Sequence, residues 1–230
     1  MSAPAPRRLL CRAVLLDLDG TLVDSAASVD RQWRRWAALH GLDPDVVAPA
    51  VHGRRGVEII RHFAPQLDAE RELRERLIPW EASDVEGNAA IPGAASLVAA
   101  LPGDQWAVVT SGPPPVALAR LRSVGLPVPH VLVSAEDVSR GKPDPEGYLL
   151  AARRLGATPE GCVVVEDAPV GVAAARAAGM RVVAVTTTHA AEALGEADVV
   201  VPDLRYVRAA TADDGTIELT ATPPTVDGRG

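Results

Sequence analysis

Two aspartates stand two apart in Asp17-Leu18-Asp19-Gly20-Thr21, directly after the apolar run Ala13-Val14-Leu15-Leu16. A short apolar run bounded by a glycine reads as a buried parallel strand, which delivers the pair to its carboxyl end. On a continuing strand the two carboxylates share one face. Like charges that close are costly unless one is protonated or a cation lies between them. An acidic strand-to-turn junction without chemistry has the same local sequence, so other strand ends must decide. Thr110-Ser111-Gly112 follows the run Trp106–Val109 and precedes prolines suited to a first helical turn. Hydroxyls beside free N–H groups at a helix start can bind an anion such as phosphate, although hydroxyls there are commonly N-caps. Gly141-Lys142-Pro143-Asp144-Pro145 carries the only lysine among 23 basic residues. Its compact ammonium differs from an arginine fork in reach and geometry. Glu166-Asp167-Ala168-Pro169 ends a further apolar run, where Asp167 is either a ligand or the N-cap of the next helix.

Together these ends offer a coherent chemistry. Carboxylates at Asp17, Asp19 and Asp167 repel a phosphate dianion. One Mg²⁺, a hard cation held by a few carboxylates, removes that conflict. Lys142 neutralises further charge. A carboxylate held in line attacks phosphorus to give an aspartyl-phosphate. A second carboxyl, two residues on, protonates the leaving alkoxide and later activates water.

The positioning elements follow from periodicity. Strand-like runs recur at Ala13–Leu18, Trp106–Thr110, Val131–Ser134, Cys162–Glu166, Arg181–Thr186 and Ala197–Val201. Helical patterns over Pro113–Val124, Pro145–Leu155 and Pro169–Ala178 start at prolines and end at glycines. The alternation predicts an α/β doubly wound parallel sheet with its ligand site at the strands' carboxyl ends. The interval from Asp17 to Thr110 far exceeds the roughly 30 residues of a βαβ unit. Within it, Ser25–His40, Arg55–Phe63 and Asp68–Leu77 read as amphipathic helices with no convincing strand, and Pro79 and Gly87–Pro92 punctuate the exit. The expected organisation is a core of residues 1–25 and 92–230 with an all-helical module at 26–91, placed to act as a lid. Asp213-Asp214-Gly215 predicts a hairpin turn, and Pro223–Gly230 no fixed structure.

Composition narrows the partners. A net charge of −7 argues against general nucleic-acid binding and against docking on anionic membranes. Cys11 and Cys162 lack metal-ligand spacing and read as buried reduced thiols, as in a cytoplasmic protein. The Met1–Pro6 tail and the run behind it, broken by Arg12, form neither a signal peptide nor a membrane span. A monomer is expected.

The motifs Asp17-Leu-Asp-Gly-Thr-Leu-Val, Val109-Thr-Ser-Gly, Gly141-Lys-Pro and Val165-Glu-Asp-Ala-Pro together resemble those of haloacid-dehalogenase-superfamily phosphatases with a helical C1-type cap. His52-Gly53-Arg54, Phe63-Ala64-Pro65 and Ile91-Pro92-Gly93-Ala94 look most like glycerol-phosphate, 2-deoxyglucose-6-phosphate and hexose-phosphate phosphatases. The resemblance implies Asp17 as nucleophile and Asp19 as general acid/base, with the Asp19 carbonyl on Mg²⁺. It implies Thr110, Ser111 and Lys142 on the phosphoryl group. Asp17 and Asp167 would bind the metal, and Glu166 would support it directly or through water. His52, Gly53 and Arg54 would choose a small phosphorylated metabolite, with Arg55 and Glu58 weaker candidates. Dehalogenase relatives lack the second aspartate, and phosphonatases need a cap lysine that this chain lacks. The β-phosphoglucomutase relatives use a cap lysine, which this chain lacks, and a histidine in the region that here reads Ser28-Val29-Asp30, which disfavours mutase activity; a sugar-phosphate mutase using the same aspartyl-phosphate is the alternative. A catalytically silent binding protein on the same fold is a third reading.

Overall fold

A computed structural model describes residues 5–51 and 53–224. In chain order its elements begin with β1 (Arg7–Cys11), β2 (Ala13–Leu16) and β3 (Val23–Asp24). The helices α1 (Ala26–Leu39), α2 (Pro44–Val47), α3 (Gly56–Phe63), α4 (Ala69–Glu72) and α5 (Ile78–Ser83) follow. Then come β4 (Ala89–Ala90), α6 (Ala94–Ala99), β5 (Trp106–Val109), α7 (Pro114–Ser123), β6 (Val131–Val133) and α8 (Glu146–Arg154). The chain continues with β7 (Cys162–Glu166), α9 (Pro169–Ala177), β8 (Arg181–Val185), β9 (Val199–Val201), β10 (Val207–Thr211) and β11 (Ile217–Ala221).

Six of the strands form one parallel sheet of order β6-β5-β2-β7-β8-β9. β2, β5 and β7 are buried along their whole length, which explains their unbroken apolar sequences. One apolar layer joins alternate strand residues to Leu97 and Val98 of α6 and Ala117 and Leu121 of α7. The opposite layer joins the intervening residues to Tyr148 and Ala151 of α8 and Val172 and Ala175 of α9. Each fully buried Leu or Val in these layers contributes about 1.5–3 kcal/mol relative to exposure.

The helices from α1 to α5 have their own apolar cluster, which includes Trp33, Trp36, Ile59, Ile60 and Leu77. In α1 the buried positions are Ser28, Val29, Gln32, Trp33, Trp36 and Ala37, a single stripe at helical spacing. α4 passes through a π-helical turn, Leu73–Leu77, directly into α5. Pro79 therefore does not end the helix as its sequence predicts. The wide turn falls just ahead of it, where the ladder must absorb a missing N–H.

Three further features lay outside the periodicity. β3 and β4 pair antiparallel, so the interval between Asp17 and Thr110 does contain strand, two residues long at each end of the helices. The short α6 lies in a stretch whose sequence predicts no helix. β1 pairs with β11 in a three-stranded antiparallel sheet, β1-β11-β10, a separate strand from β2 with Arg12 at the break between them. The β10–β11 hairpin turns at Asp213-Asp214-Gly215 as predicted, with Asp214 accepting from the Thr216 N–H and hydroxyl. Of the expected unstructured tail, residues 225–230 lie outside the described residues.

No helix among the described residues is long and apolar enough to cross a membrane. Cys11 and Cys162 are buried free thiols. Burial pushes their pKa values up to about 11 and about 12. A thiol reagent at pH 8 should leave both untouched in the native protein and titrate both after unfolding. Rapid native labelling would contradict that burial.

Candidate active site

In an open parallel sheet the crevice lies where strand order reverses, here around β2 with β5 and β7 as neighbours. β2 ends at Leu16, and Asp17 is held by its N–H on the Val165 carbonyl at 3.0 Å. The chain then turns. Asp17 and Asp19 therefore do not share a strand face as their spacing predicts, and their carboxylates take separate partners. Gly20, at φ +87°, completes the turn, where a Cβ would collide with the Asp167 carboxylate and Thr188.

Lys142 reaches this point from the loop after β6. Its Nζ donates to Asp17 Oδ1 at 2.5 Å, Glu166 Oε1 at 2.6 Å and the Val109 carbonyl at 3.3 Å. Burial opposes the ammonium, but Asp17 and Glu166 outweigh it and raise its pKa. Glu166 Oε1 also accepts from Tyr148 Oη at 2.9 Å, and Oε2 accepts the N–H groups of Asp167 and Ala168 at 2.8 and 2.9 Å. Four donors thus saturate Glu166. Gly171 gives it room, since a Cβ there would overlap the carboxylate. Asp167 accepts from Thr21 Oγ1 at 3.0 Å and from Thr188 Oγ1. The N-cap of α9 is Ala168, so the capping alternative for Asp167 falls away.

Three buried acids face one buried ammonium. Asp17, Glu166 and Asp167 each have a carboxylate oxygen within 4.8 Å of the others; with Glu166 already saturated, Asp17 and Asp167 are the two that fit a divalent cation directly, with Glu166 behind them. Burial raises the Asp17 pKa well above the carboxylate range, with Lys142 opposing and Glu166 and Asp167 adding to the rise. Burial and then Glu166 lift Asp167 to about 7, against the Thr188 and Thr21 hydrogen bonds. A raised acid pKa means that the folded chain holds its proton more tightly than the unfolded chain. The stability from that proton is full below 3.8 and lost as pH climbs through about 7. Without metal, the melting temperature should therefore fall between pH 5 and 7, and Mg²⁺ should restore it most at pH 7. A metal-free melting temperature that climbs across this window would contradict the burial of these acids.

Asp19 is partly buried. Its Oδ1 accepts from Ser25 Oγ at 2.6 Å, and its Oδ2 from Arg120 Nη1 at 2.7 Å. Thr110 is buried, and its Oγ1 accepts the Gly112 N–H at 3.0 Å, which leaves the hydroxyl proton for another acceptor. Ser111 donates instead to the Gly53 carbonyl at 3.0 Å. The start of α7 is Pro113, Pro114 and Pro115, so the helix itself supplies none of the N–H donors expected there. Gly53 and the exposed Arg54 line the same cleft, whereas His52 lies outside the described residues. Arg55 is turned away, with Nη1 on the Ser139 carbonyl at 3.0 Å. Arg55 and Glu58 pack on Gly141, beside Lys142.

Sequence reasoning missed Thr21, Tyr148 and Thr188, which orient the acids, and the Arg120–Glu81 pair. Thr21 belongs to the first quoted motif, and Tyr148 lies three residues beyond Pro145, but nothing marks Arg120 among the other arginines. The cleft occupies about 830 Å³ including its open mouth, and Val29, Trp33, Val51 and Leu73 form an apolar wall facing the acids.

The sequence profile of the haloacid dehalogenase-like hydrolases matches residues 11–179. Hexitol phosphatase A of Escherichia coli strain K12 is 45% identical over 90% of this chain and 98% of its own. The 2-deoxyglucose-6-phosphate phosphatase 2 of Saccharomyces cerevisiae is 33% identical over 91% of this chain and 95% of its own. A solved hydrolase from Pseudomonas syringae superposes with a TM-score of 0.74 at 27% identity, over 84% of this chain and 94% of that one. With its strand-end acids, buried lysine and doubly wound sheet, the chain belongs to the haloacid dehalogenase-like hydrolases.

Proposed function

We propose that the protein is a Mg²⁺-dependent phosphatase that hydrolyses a small sugar or polyol phosphate monoester through an aspartyl-phosphate. The observation that carries this reading is the division of labour between two carboxylates: Asp17 lies on Lys142, and Asp19 stands apart on Ser25 and Arg120. Relatives named for hexitol and 2-deoxyglucose-6-phosphate point to the polyhydroxy alcohol.

In this reading residues 1–25 and 92–230 form the catalytic core and residues 26–91 the cap. Asp17 and Asp167, with the Asp19 carbonyl and support from Glu166, would hold Mg²⁺, which would supply charge neutralisation at the phosphoryl oxygens. Lys142 and Thr110 bind the phosphoryl group, with Ser111 beside them. Asp17 forms the new bond to phosphorus as the ester P–O bond breaks. Asp19 gives its proton to the departing alkoxide, then takes one from the water that attacks the aspartyl-phosphate. Inorganic phosphate leaves and Asp17 is regenerated. Gly53 and Arg54, with His52, meet the alcohol. The enzyme acts as a cytoplasmic monomer without a nucleic-acid or membrane partner, in keeping with its net charge of −7 and buried free thiols.

Incubation with hexitol, deoxyhexose and glycerol phosphates should release inorganic phosphate in Mg²⁺, and EDTA should stop it. Isomerised sugar phosphate without free phosphate would instead establish the mutase. That outcome would require an acceptor machinery without a lysine, since the chain's only lysine is committed to Asp17 and Glu166.

A further inference from the structure

We infer that Arg120 is a positioning residue that ties the docking of α5 to the alignment of the Asp19 carboxylate. Arg120 projects from α7 and is 4% exposed. Its fork is divided between two acids: Nη1 donates to Asp19 Oδ2 at 2.7 Å and Nη2 to Glu81 Oε2 at 2.8 Å. Each acid has a further anchor. Glu81 Oε1 accepts from Trp33 Nε1 at 3.1 Å, and Asp19 Oδ1 accepts from Ser25 Oγ at 2.6 Å. Trp33 lies on α1 and Ser25 is its N-cap residue, so the bonds close a ring running α1, α5, α7, the turn after β2, and α1 again.

All five side chains line the cleft that holds Asp17. Arg120 Nε is buried without a hydrogen-bond partner, so the guanidinium has no other acceptor in reserve there. Withdrawal of α5 leaves half of a buried fork unpaired, a costly state that favours keeping both arms engaged together. With both oxygens bound, the Asp19 carboxylate cannot rotate about its last bond. Proton delivery to the leaving oxygen is thus made conditional on the helices being seated over the cleft, when water is excluded.

The inference rests on the phosphatase reading and is tested by leaving-group dependence. A hexitol phosphate needs a proton on its departing oxygen, whereas p-nitrophenyl phosphate releases a stable anion without one. In Arg120→Met, single-turnover cleavage of the hexitol phosphate should slow about 10²-fold, the size of a general-acid contribution. Single-turnover release of p-nitrophenolate should stay within about threefold of wild type. Glu81→Gln keeps Arg120 and weakens one charge-assisted bond, so it should show the same selectivity with about a tenfold loss. It also serves if Arg120→Met fails to fold. Equal losses on the two substrates, or no loss in Glu81→Gln, would overturn the inference while wild-type turnover still depends on Asp17. Turnover that survives Asp17→Asn would overturn the phosphatase reading and this inference with it.

Discussion

Asp17→Asn is expected to lower kcat by at least about 10³-fold with the fold intact, because an amide cannot form the covalent intermediate and nothing else occupies its position. The stability change should run the other way. Asp17 is one of three buried acids, and its proton affinity is raised first by burial and then by the charges of Glu166 and Asp167. Removing its charge relieves Asp167 and leaves Lys142 on Glu166 at 2.6 Å. In EDTA at pH 7 the variant should therefore melt no lower than wild type and gain less from Mg²⁺. Turnover near wild-type levels in a folded variant would remove Asp17 from the role of nucleophile.

Lys142→Met should be the most damaging single change to stability. It withdraws the ammonium that two buried carboxylates share, at 2.5 and 2.6 Å, and strands both. Breaking a buried pair from one side costs about 3–5 kcal/mol, since an uncompensated charge remains. Urea unfolding in EDTA at pH 7.5 reads that loss directly. Mg²⁺ should return part of the stability by neutralising the same acids. It should not return turnover, because in the proposed mechanism Lys142 also holds the phosphoryl group. A midpoint within the error of wild type would show that the two carboxylates are neutral without the lysine.

Much of this site was legible because the chemistry is concentrated at strand ends. Apolar runs of four or five residues followed at once by Asp, Thr or Glu-Asp carry both the strand and its cargo, and the parallel sheet brings those ends together. The lone lysine was conspicuous against an arginine background. Asp19 was misplaced because the two-residue spacing holds only while a strand continues, and β2 stops at Leu16. The Arg120 ring was invisible for a different reason. It joins residues separated by up to 101 positions, on α1, α5, α7 and the turn after β2, and the buried Arg120 looks like the exposed Arg122 in sequence. The anion-binding reading of Thr110-Ser111-Gly112 assumed donors that Pro114 and Pro115 lack. β1 and the β3–β4 pair were missed because two strands are only two residues long and the third alternates too little to separate it from a leader.

The β3–β4 ladder pairs Val23 with Ala90 and Asp24 with Ala89, which brings the two ends of the α1–α5 excursion side by side. An excursion that leaves and returns through one antiparallel step imposes no span on the sheet. Helices there can lengthen, shorten or be exchanged during evolution without moving Asp17, Thr110, Lys142 or Asp167. The length of the excursion is thus uncoupled from the strand ends that carry these four residues, with the ladder acting as the splice point.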